Sequence, residues 1–379
     1  MRVLHSVDNF LMVSENWIYP QVVGVPGVES CVLCSRRENV DAFPIQRRAV
    51  IRASEWPVSA QALRQRKRWL LPGSGGVGDQ IQRWNPSAVH AHFGMRAWQT
   101  LPIVDMLNVP LVTSFYGFDA WRLPEDDPSW LTRYAELFEK GSLFVVEGPA
   151  MRERLIHLGC RAEKIRIHRL GVDLRALPYR RKDFSRRLAL AMIGRFVEKK
   201  GLADGLRACA EARSQGVDLQ VTVIGESENG DAEGKQVRDE LNAIASDPRL
   251  SGRVRFTGML PLHHTRALLA EHDVYVCPSK RAANGDAEGG SPVALTEAMA
   301  MGLFCVGTRH CDIPQLIIDG ETGALCAERD VASIASALGA IASRPTESVN
   351  VTVRARRHIE RFFSLQLQLE GLRELYAAC

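Results

Sequence analysis

The strongest constraint on the fold is an alternation that runs along most of the chain, stops once and starts again. Short aliphatic runs at residues 3–7, 30–33, 88–91, 111–114 and 143–146 are strand-sized, and helical patterns fit between them, as at 96–107 and 130–140. Tyr179-Arg180-Arg181-Lys182-Asp183-Phe184-Ser185-Arg186-Arg187 then interrupts with charge and no apolar period. Further runs follow at 188–193, 219–224, 254–256, 274–276 and 304–306, separated by helical segments near 202–214, 262–270 and 293–301. Runs that are apolar throughout, rather than at every second residue, suit strands covered on both faces, hence parallel sheets wound by helices. A chain of 379 residues also exceeds one ordinary core. The expected class is α/β, with two Rossmann-like doubly wound parallel-sheet domains. The expected limits are 1–178, 179–355 and a helical segment 356–379 that crosses back to the first domain. Two such domains place a cleft where ligands meet the carboxyl ends of the strands.

Hydrophobic residues make up 46% of the chain and charged residues 24%, the balance of a globular protein rather than a disordered one. The longest apolar runs fall well short of the ~20 residues that a membrane span requires. Met1-Arg2-Val3-Leu4-His5 leads directly into a strand-like run without a signal-peptide core, so a cytoplasmic protein is expected. The formal net charge of +4 is too modest to imply nucleic acid. Nine cysteines is an odd number, and most lie in apolar runs, as small buried hydrophobes do. Cys31-Val32-Leu33-Cys34 has half the spacing of a zinc site and no second half, so a structural role is expected. Arg64-Gln65-Arg66-Lys67-Arg68-Trp69-Leu70-Leu71 sets four cations beside Trp and Leu, with Arg47, Arg48 and Arg52 upstream. Such a stretch fits either a solvated helix face or peripheral contact with an anionic membrane, and Gly73-Ser74-Gly75-Gly76 beyond it reads as a loop.

Two segments of the second half carry chemistry. In Met192-Ile193-Gly194-Arg195-Phe196-Val197-Glu198-Lys199-Lys200-Gly201 a buried strand gives way to a charged loop, and a guanidinium fork with a flexible ammonium suits a diphosphate. In Glu288-Gly289-Gly290-Ser291-Pro292-Val293-Ala294-Leu295-Thr296-Glu297-Ala298-Met299-Ala300, Ser291 reads as an N-cap and Pro292 as the first helical residue. The helix dipole attracts an anion, and the glycines permit close backbone approach. Glu297 lies in an otherwise apolar run, so its carboxylate needs a partner; paired hydroxyls of a ribose would serve.

This pattern, Gly194-Arg195…Lys200-Gly201 followed by Glu288…Glu297, resembles the retaining glycosyltransferases of family 4, which have the GT-B fold. The resemblance extends through His90-Ala91-His92-Phe93-Gly94, Gly117-Phe118-Asp119, Leu170-Gly171-Val172-Asp173-Leu174, Phe256-Thr257-Gly258 and Asp319-Gly320-Glu321-Thr322-Gly323. Ser14-Glu15-Asn16-Trp17-Ile18 is similar to the start of the colanic-acid type of exopolysaccharide transferase.

The resemblance implies that Arg195 and Lys200 neutralise a leaving diphosphate and that Glu297 holds the ribose. It implies that Glu288, Gly289, Gly290, Ser291 and Pro292 surround the donor sugar and β-phosphate, and that Gly225, Gly258 and Met259 border the base. It implies a hexose moved from a sugar-nucleotide, UDP-linked by preference, to a glycan hydroxyl without metal or other cofactor. Ser14, Glu15 and His92 fall on the acceptor side, with Tyr116 and Asp119 at the reaction centre. Two departures stand out: eight residues separate Glu288 from Glu297 where the family has seven, and Tyr116 stands where a histidine is usual. Histidines 90 and 92 share one strand face, but no third metal ligand is evident, so a structural or acceptor-facing role is expected. The alternatives are transfer to a small soluble acceptor such as an aminocyclitol, a GT-B epimerase or phosphorylase, and a non-catalytic sugar-nucleotide-binding protein.

Overall fold

A computed structural model describes residues 1–46, 50–52, 76–227 and 231–379. The basic stretch from Arg64 to Leu71, Arg47, Arg48 and most of Gly73-Ser74-Gly75-Gly76 lie outside the described residues. The chain forms two compact units, Met1–Leu170 with Gln366–Cys379, and Gly171–Leu365.

The sheet of the first unit runs from edge to edge as Val50–Arg52, Glu29–Cys34, Arg2–Ser6, Ala88–His92, Leu111–Ser114, Leu143–Val146 and Ile165–Ile167. Every pair is parallel. Numbered by appearance, the order is 3-2-1-4-5-6-7. Strands such as Leu143–Val146 are buried along their whole length, as expected of a sheet with helices on both faces. The helix Ser129–Lys140 buries Trp130, Tyr134, Leu137 and Phe138, spaced three and four apart, and turns its charges outward. The helix Gly94–Leu107 ends where Asn108 takes a left-handed conformation, one of the few L residues that does so cheaply.

The second unit repeats the plan with six parallel strands, Val254–Phe256, Leu219–Ile224, Leu188–Ile193, Val274–Cys277, Phe304–Thr308 and Ala324–Cys326, in the order 3-2-1-4-5-6. In each sheet the winding reverses beside the first strand, between Arg2–Ser6 and Ala88–His92 in one unit and between Leu188–Ile193 and Val274–Cys277 in the other. Open parallel sheets bind ligands at such switch points.

The unit limits differ from those expected at 178/179 and 355/356. The charged stretch at 179–187 is not a linker: Phe184 is buried in the second core, Lys182 Nζ donates to the Ala270 carbonyl at 2.6 Å, and Tyr179 Oη lies 3.0 Å from Thr352 Oγ1. The C-terminal segment is two helices, Pro345–Phe362 and Leu365–Ala377, rather than one. At the break, the Val172 N–H donates to the Phe363 carbonyl and the Leu365 N–H donates to the Val172 carbonyl, both at 2.9 Å. The final helix belongs to the first unit, where Tyr376 is buried and bonded to His90 Nδ1 at 2.6 Å. No helix among the described residues is long and apolar enough to cross a membrane.

Gly225 ends the strand Leu219–Ile224 at φ +144°, and a Cβ there would fall on the Gly194 carbonyl oxygen. Neither conformation nor space tolerates a side chain. Gly225→Ala should lower the unfolding free energy by more than about 2 kcal/mol, read from a shifted denaturant midpoint at unchanged slope.

Candidate functional site

The site of the second unit is built at its switch point. After strand Leu188–Ile193 the chain turns through Glu198–Lys200 into helix Leu202–Ser214, with Gly201 at φ +61°. A Cβ on Gly201 would collide with the Pro278 carbonyl, so only glycine lets this turn approach the loop that follows strand Val274–Cys277. That approach sets Lys200 beside Glu288, across 87 intervening residues.

Lys200 Nζ donates to both Glu288 oxygens at 2.8 and 2.7 Å, and Ser279 Oγ donates to Oε1 at 2.7 Å. Burial alone would raise the Glu288 pKa. Lys200, Lys199 and the hydrogen bonds from Lys200 and Ser279 outweigh it and hold the carboxyl at about 2. Four further contacts pin the loop: Lys199 Nζ to Asp286 Oδ1 and the Ala287 carbonyl at 3.1 and 3.0 Å, Lys280 Nζ to Asp204 Oδ2 at 2.8 Å, and the Ala283 N–H to Glu198 Oε2 at 2.9 Å. None of these supports was anticipated, although the adjacent Lys199-Lys200 and the Asp286-x-Glu288 pair were a signal that two acid–base pairs could form side by side. Arg195 is exposed on the same turn.

The structure begins the helix at Val293 with Pro292 as its cap residue, one position later than expected. Ser291 Oγ is not the cap: it donates to the Asp312 carbonyl at 2.7 Å. Gly289 has φ +84°, which accommodates the extra residue of the loop. Glu297 is 4% exposed and pairs with Arg266, whose Nε and Nη2 both donate to Oε1, at 3.0 and 2.5 Å. Arg266 answers the question of its partner and was not anticipated, because it lies on another helix, Leu262–Ala270. Gly225 and Gly258 pair as an isolated bridge at the same sheet edge, and Met259 beside them is 58% exposed.

In the first unit several of the expected site residues are buried and hydrogen-bonded. Asp119 is fully buried, and its two oxygens accept the N–H groups of Gly94, Tyr116 and Gly117 at 2.8, 3.1 and 3.0 Å. Burial pushes its pKa up to about 6 against those bonds. Its oxygens are committed to shaping the turn that carries Tyr116. His92 is likewise fully buried, and its Nδ1 meets Tyr116 Oη at 2.8 Å. The missing third histidine is His5, brought opposite His90 by strand pairing. Ligand atoms of His5, His90 and His92 lie within 4.8 Å of one another. Burial, reinforced at His90 and His92 by neighbouring histidines, drives these pKa values down, that of His5 to about 3. The rings bond to each other and to Ser30, Ser114, Tyr116 and Tyr376, all neutral. Ser14 is exposed and Glu15 partly so, in the turn Val13–Glu15.

The depressed Glu288 pKa makes a stability prediction. A carboxyl held near 2 in the fold and near 4.5 when unfolded contributes fully above pH 4.5, and that contribution is lost as pH falls towards 2. Between pH 6 and 3 the wild type should lose about 2 kcal/mol more than Glu288→Gln, measured by urea unfolding at each pH.

Comparison with known proteins places this geometry. Residues 187–344 match the family described as Glycosyl transferases group 1, and residues 26–176 match Glycosyltransferase Family 4. The chain is 32% identical over 292 residues to the colanic acid biosynthesis glycosyltransferase WcaL of Escherichia coli (strain K12), covering 76% of this chain and 70% of that one. It is 32% identical over 315 residues to the amylovoran biosynthesis glycosyltransferase AmsK of Erwinia amylovora, covering 82% and 74%. The crystal structure of Anabaena Alr3699/HepE in complex with UDP and glucose matches over the whole of both chains with a TM-score of 0.78 at 16% identity, a likeness of fold. With two parallel sheets of reversed winding and matches along both halves, this chain is a GT-B protein and belongs to the family 4 glycosyltransferases.

Proposed function

We propose that the protein transfers a hexose from a UDP-sugar to a hydroxyl of a glycan acceptor, with retention at the anomeric carbon and without a metal. The observation that carries this reading is the Lys200–Glu288 pair beside Gly289 at the switch point. An ammonium has three N–H donors, and Lys200 spends two on Glu288, which leaves one for a phosphate oxygen. Arg195, exposed on the same turn, adds a second cation. As the bond from C1 to the β-phosphate oxygen breaks, charge grows on the departing UDP, and cations already in place stabilise it. The acceptor oxygen bonds to C1 on the face that UDP leaves, and the acceptor proton passes to the departing phosphate oxygen. Tyr116, raised further above its ordinary pKa by burial, is then not required as a base and serves as a hydrogen-bonding group.

Glu297 holds the ribose in this scheme. Both Arg266 bonds use Oε1, so Oε2 is the oxygen for ribose hydroxyls. The UDP in the HepE crystal supports uridine as the base. The names of the colanic acid and amylovoran relatives support an exopolysaccharide intermediate as acceptor, and a lipid-linked one would suit the basic stretch from Arg64 to Leu71.

Glu297→Ala should weaken UDP binding about tenfold by calorimetry, and unchanged affinity would remove the ribose assignment. Arg195→Ala should lower kcat about tenfold to a hundredfold in a UDP-release assay while KM moves little, since the charge it meets develops in the transition state. Neutralising Arg64, Arg66, Lys67 and Arg68 together should reduce binding to anionic liposomes and turnover of a lipid-linked acceptor. No change in either measurement would point to a small soluble acceptor instead.

A further inference from the structure

We propose that His310 and Glu328 act as a positioning pair that fixes the main chain of the Glu288 loop; this rests on the reading of Glu288 as a donor-binding residue. His310 lies just beyond strand Phe304–Thr308 and is 2% exposed. Its Nε2 lies 3.1 Å from the Glu288 backbone nitrogen, and its Nδ1 lies 2.7 Å from Glu328 Oε1. The other Glu328 oxygen accepts the Arg281 N–H at 2.9 Å.

The direction of this chain follows from which groups can donate. A backbone N–H only donates, so Nε2 of His310 must be the unprotonated nitrogen. The proton then sits on Nδ1 and points at a carboxylate, which only accepts. Glu328 thereby selects the tautomer that His310 needs in order to hold Glu288, in the way that a carboxylate orients a metal-bound or catalytic histidine. Through one carboxylate and one imidazole, two points of the loop are tied together, Arg281 near its start and Glu288 near its end. Arg329 adds a third tie, its Nη2 donating to the Arg281 carbonyl at 2.6 Å.

The tie matters because of what adjoins it. Glu288 is followed by Gly289 at φ +84°, a residue with little conformational preference of its own. Lys200 and Ser279 hold the Glu288 side chain, but neither holds its backbone. His310 holds the backbone from the other direction. Cys311 belongs to the same device: it takes φ +44°, and its Sγ lies 3.3 Å from His310 Nε2. With both ends fixed, the carboxylate and the glycine N–H groups meet the donor without having to be ordered first.

The alternative is a buried histidine that only stabilises the fold, and the conservative variant separates the two. A glutamine at 310 offers a carbonyl oxygen to the Glu288 N–H and an amide N–H to Glu328, whereas alanine offers neither. UDP release from a panel of UDP-hexoses is measured well below each variant's melting temperature, with circular dichroism confirming the folded state. His310→Ala should lower kcat/KM about tenfold to a hundredfold, and His310→Gln should recover to within about threefold of wild type. Glu328→Gln should lose about tenfold, since one amide cannot accept from both His310 and Arg281. A folded His310→Ala within twofold of wild type, or a glutamine variant no better than alanine, would overturn the positioning role. Glu288→Gln measured alongside distinguishes the two readings: if it also leaves donor turnover unchanged, the donor-binding assignment of Glu288 has failed, and the positioning role with it.

Discussion

The second unit is organised around one buried ion pair. Lys200 and Glu288 are 20% and 7% exposed at their side chains, and removing two charges from water costs several kcal/mol per ion, which mutual attraction repays only with good geometry and further hydrogen bonds. Here the repayment is visible. Both carboxylate oxygens receive the ammonium, Ser279 adds a third bond, and Lys199 lies close enough to favour the charged form. Replacing such a pair by well-packed apolar residues is often neutral or stabilising, so stability is a poor reason for its presence. The proposed function supplies a better one, a cation already in place when charge develops on a leaving group.

Everything around the pair serves to bring together residues that are far apart in sequence. Gly201 admits the Pro278 carbonyl, and Gly225 admits that of Gly194, so three strand ends approach more closely than side chains would permit. The loop from 278 to 291 has no secondary structure of its own and is held by side-chain ties to residues 198, 199, 204, 310, 312 and 328. A loop fixed this way is preorganised without being part of the sheet, and its precision depends on residues that never reach the substrate.

Local patterns were legible in the sequence and long-range partners were not. The strands Leu188–Ile193, Leu219–Ile224 and Leu143–Val146 fall where their aliphatic runs place them, because a strand covered on both faces leaves a contiguous apolar signature. Lys200, Glu288 and Glu297 could be singled out as charges adjoining glycines or embedded among apolar residues. Their partners could not: Arg266 reaches Glu297 from another helix, and His5 joins His90 only because the first strand pairs with the fourth. The stretch at 179–187 reads as solvated because charge dominates it, yet one buried aromatic, Phe184, is enough to seat it in the core. Ser291 had the sequence of a cap, but the helix begins one residue later and its hydroxyl donates to the Asp312 carbonyl instead. The break at Phe363 and Ser364 carries no Pro or Gly, and depends on bonds to Val172 from the other end of the unit.

The two switch points share a strand order and have opposite electrostatics. In the second unit the strand ends carry Arg195, Lys200, Glu288 and their paired ions, a setting suited to an anion. In the first unit the corresponding place holds His5, His90 and His92, whose burial drives them neutral and whose partners are hydroxyls rather than carboxylates. The three rings thus form a buried, hydrogen-bonded cluster of neutral groups. Its partners Tyr116 and Ser114 line a small pocket of the first unit with Gln21, Glu147 and His168. The same strand order thus surrounds paired charges in one unit and neutral rings and hydroxyls in the other, and the difference lies in the few residues at the strand ends.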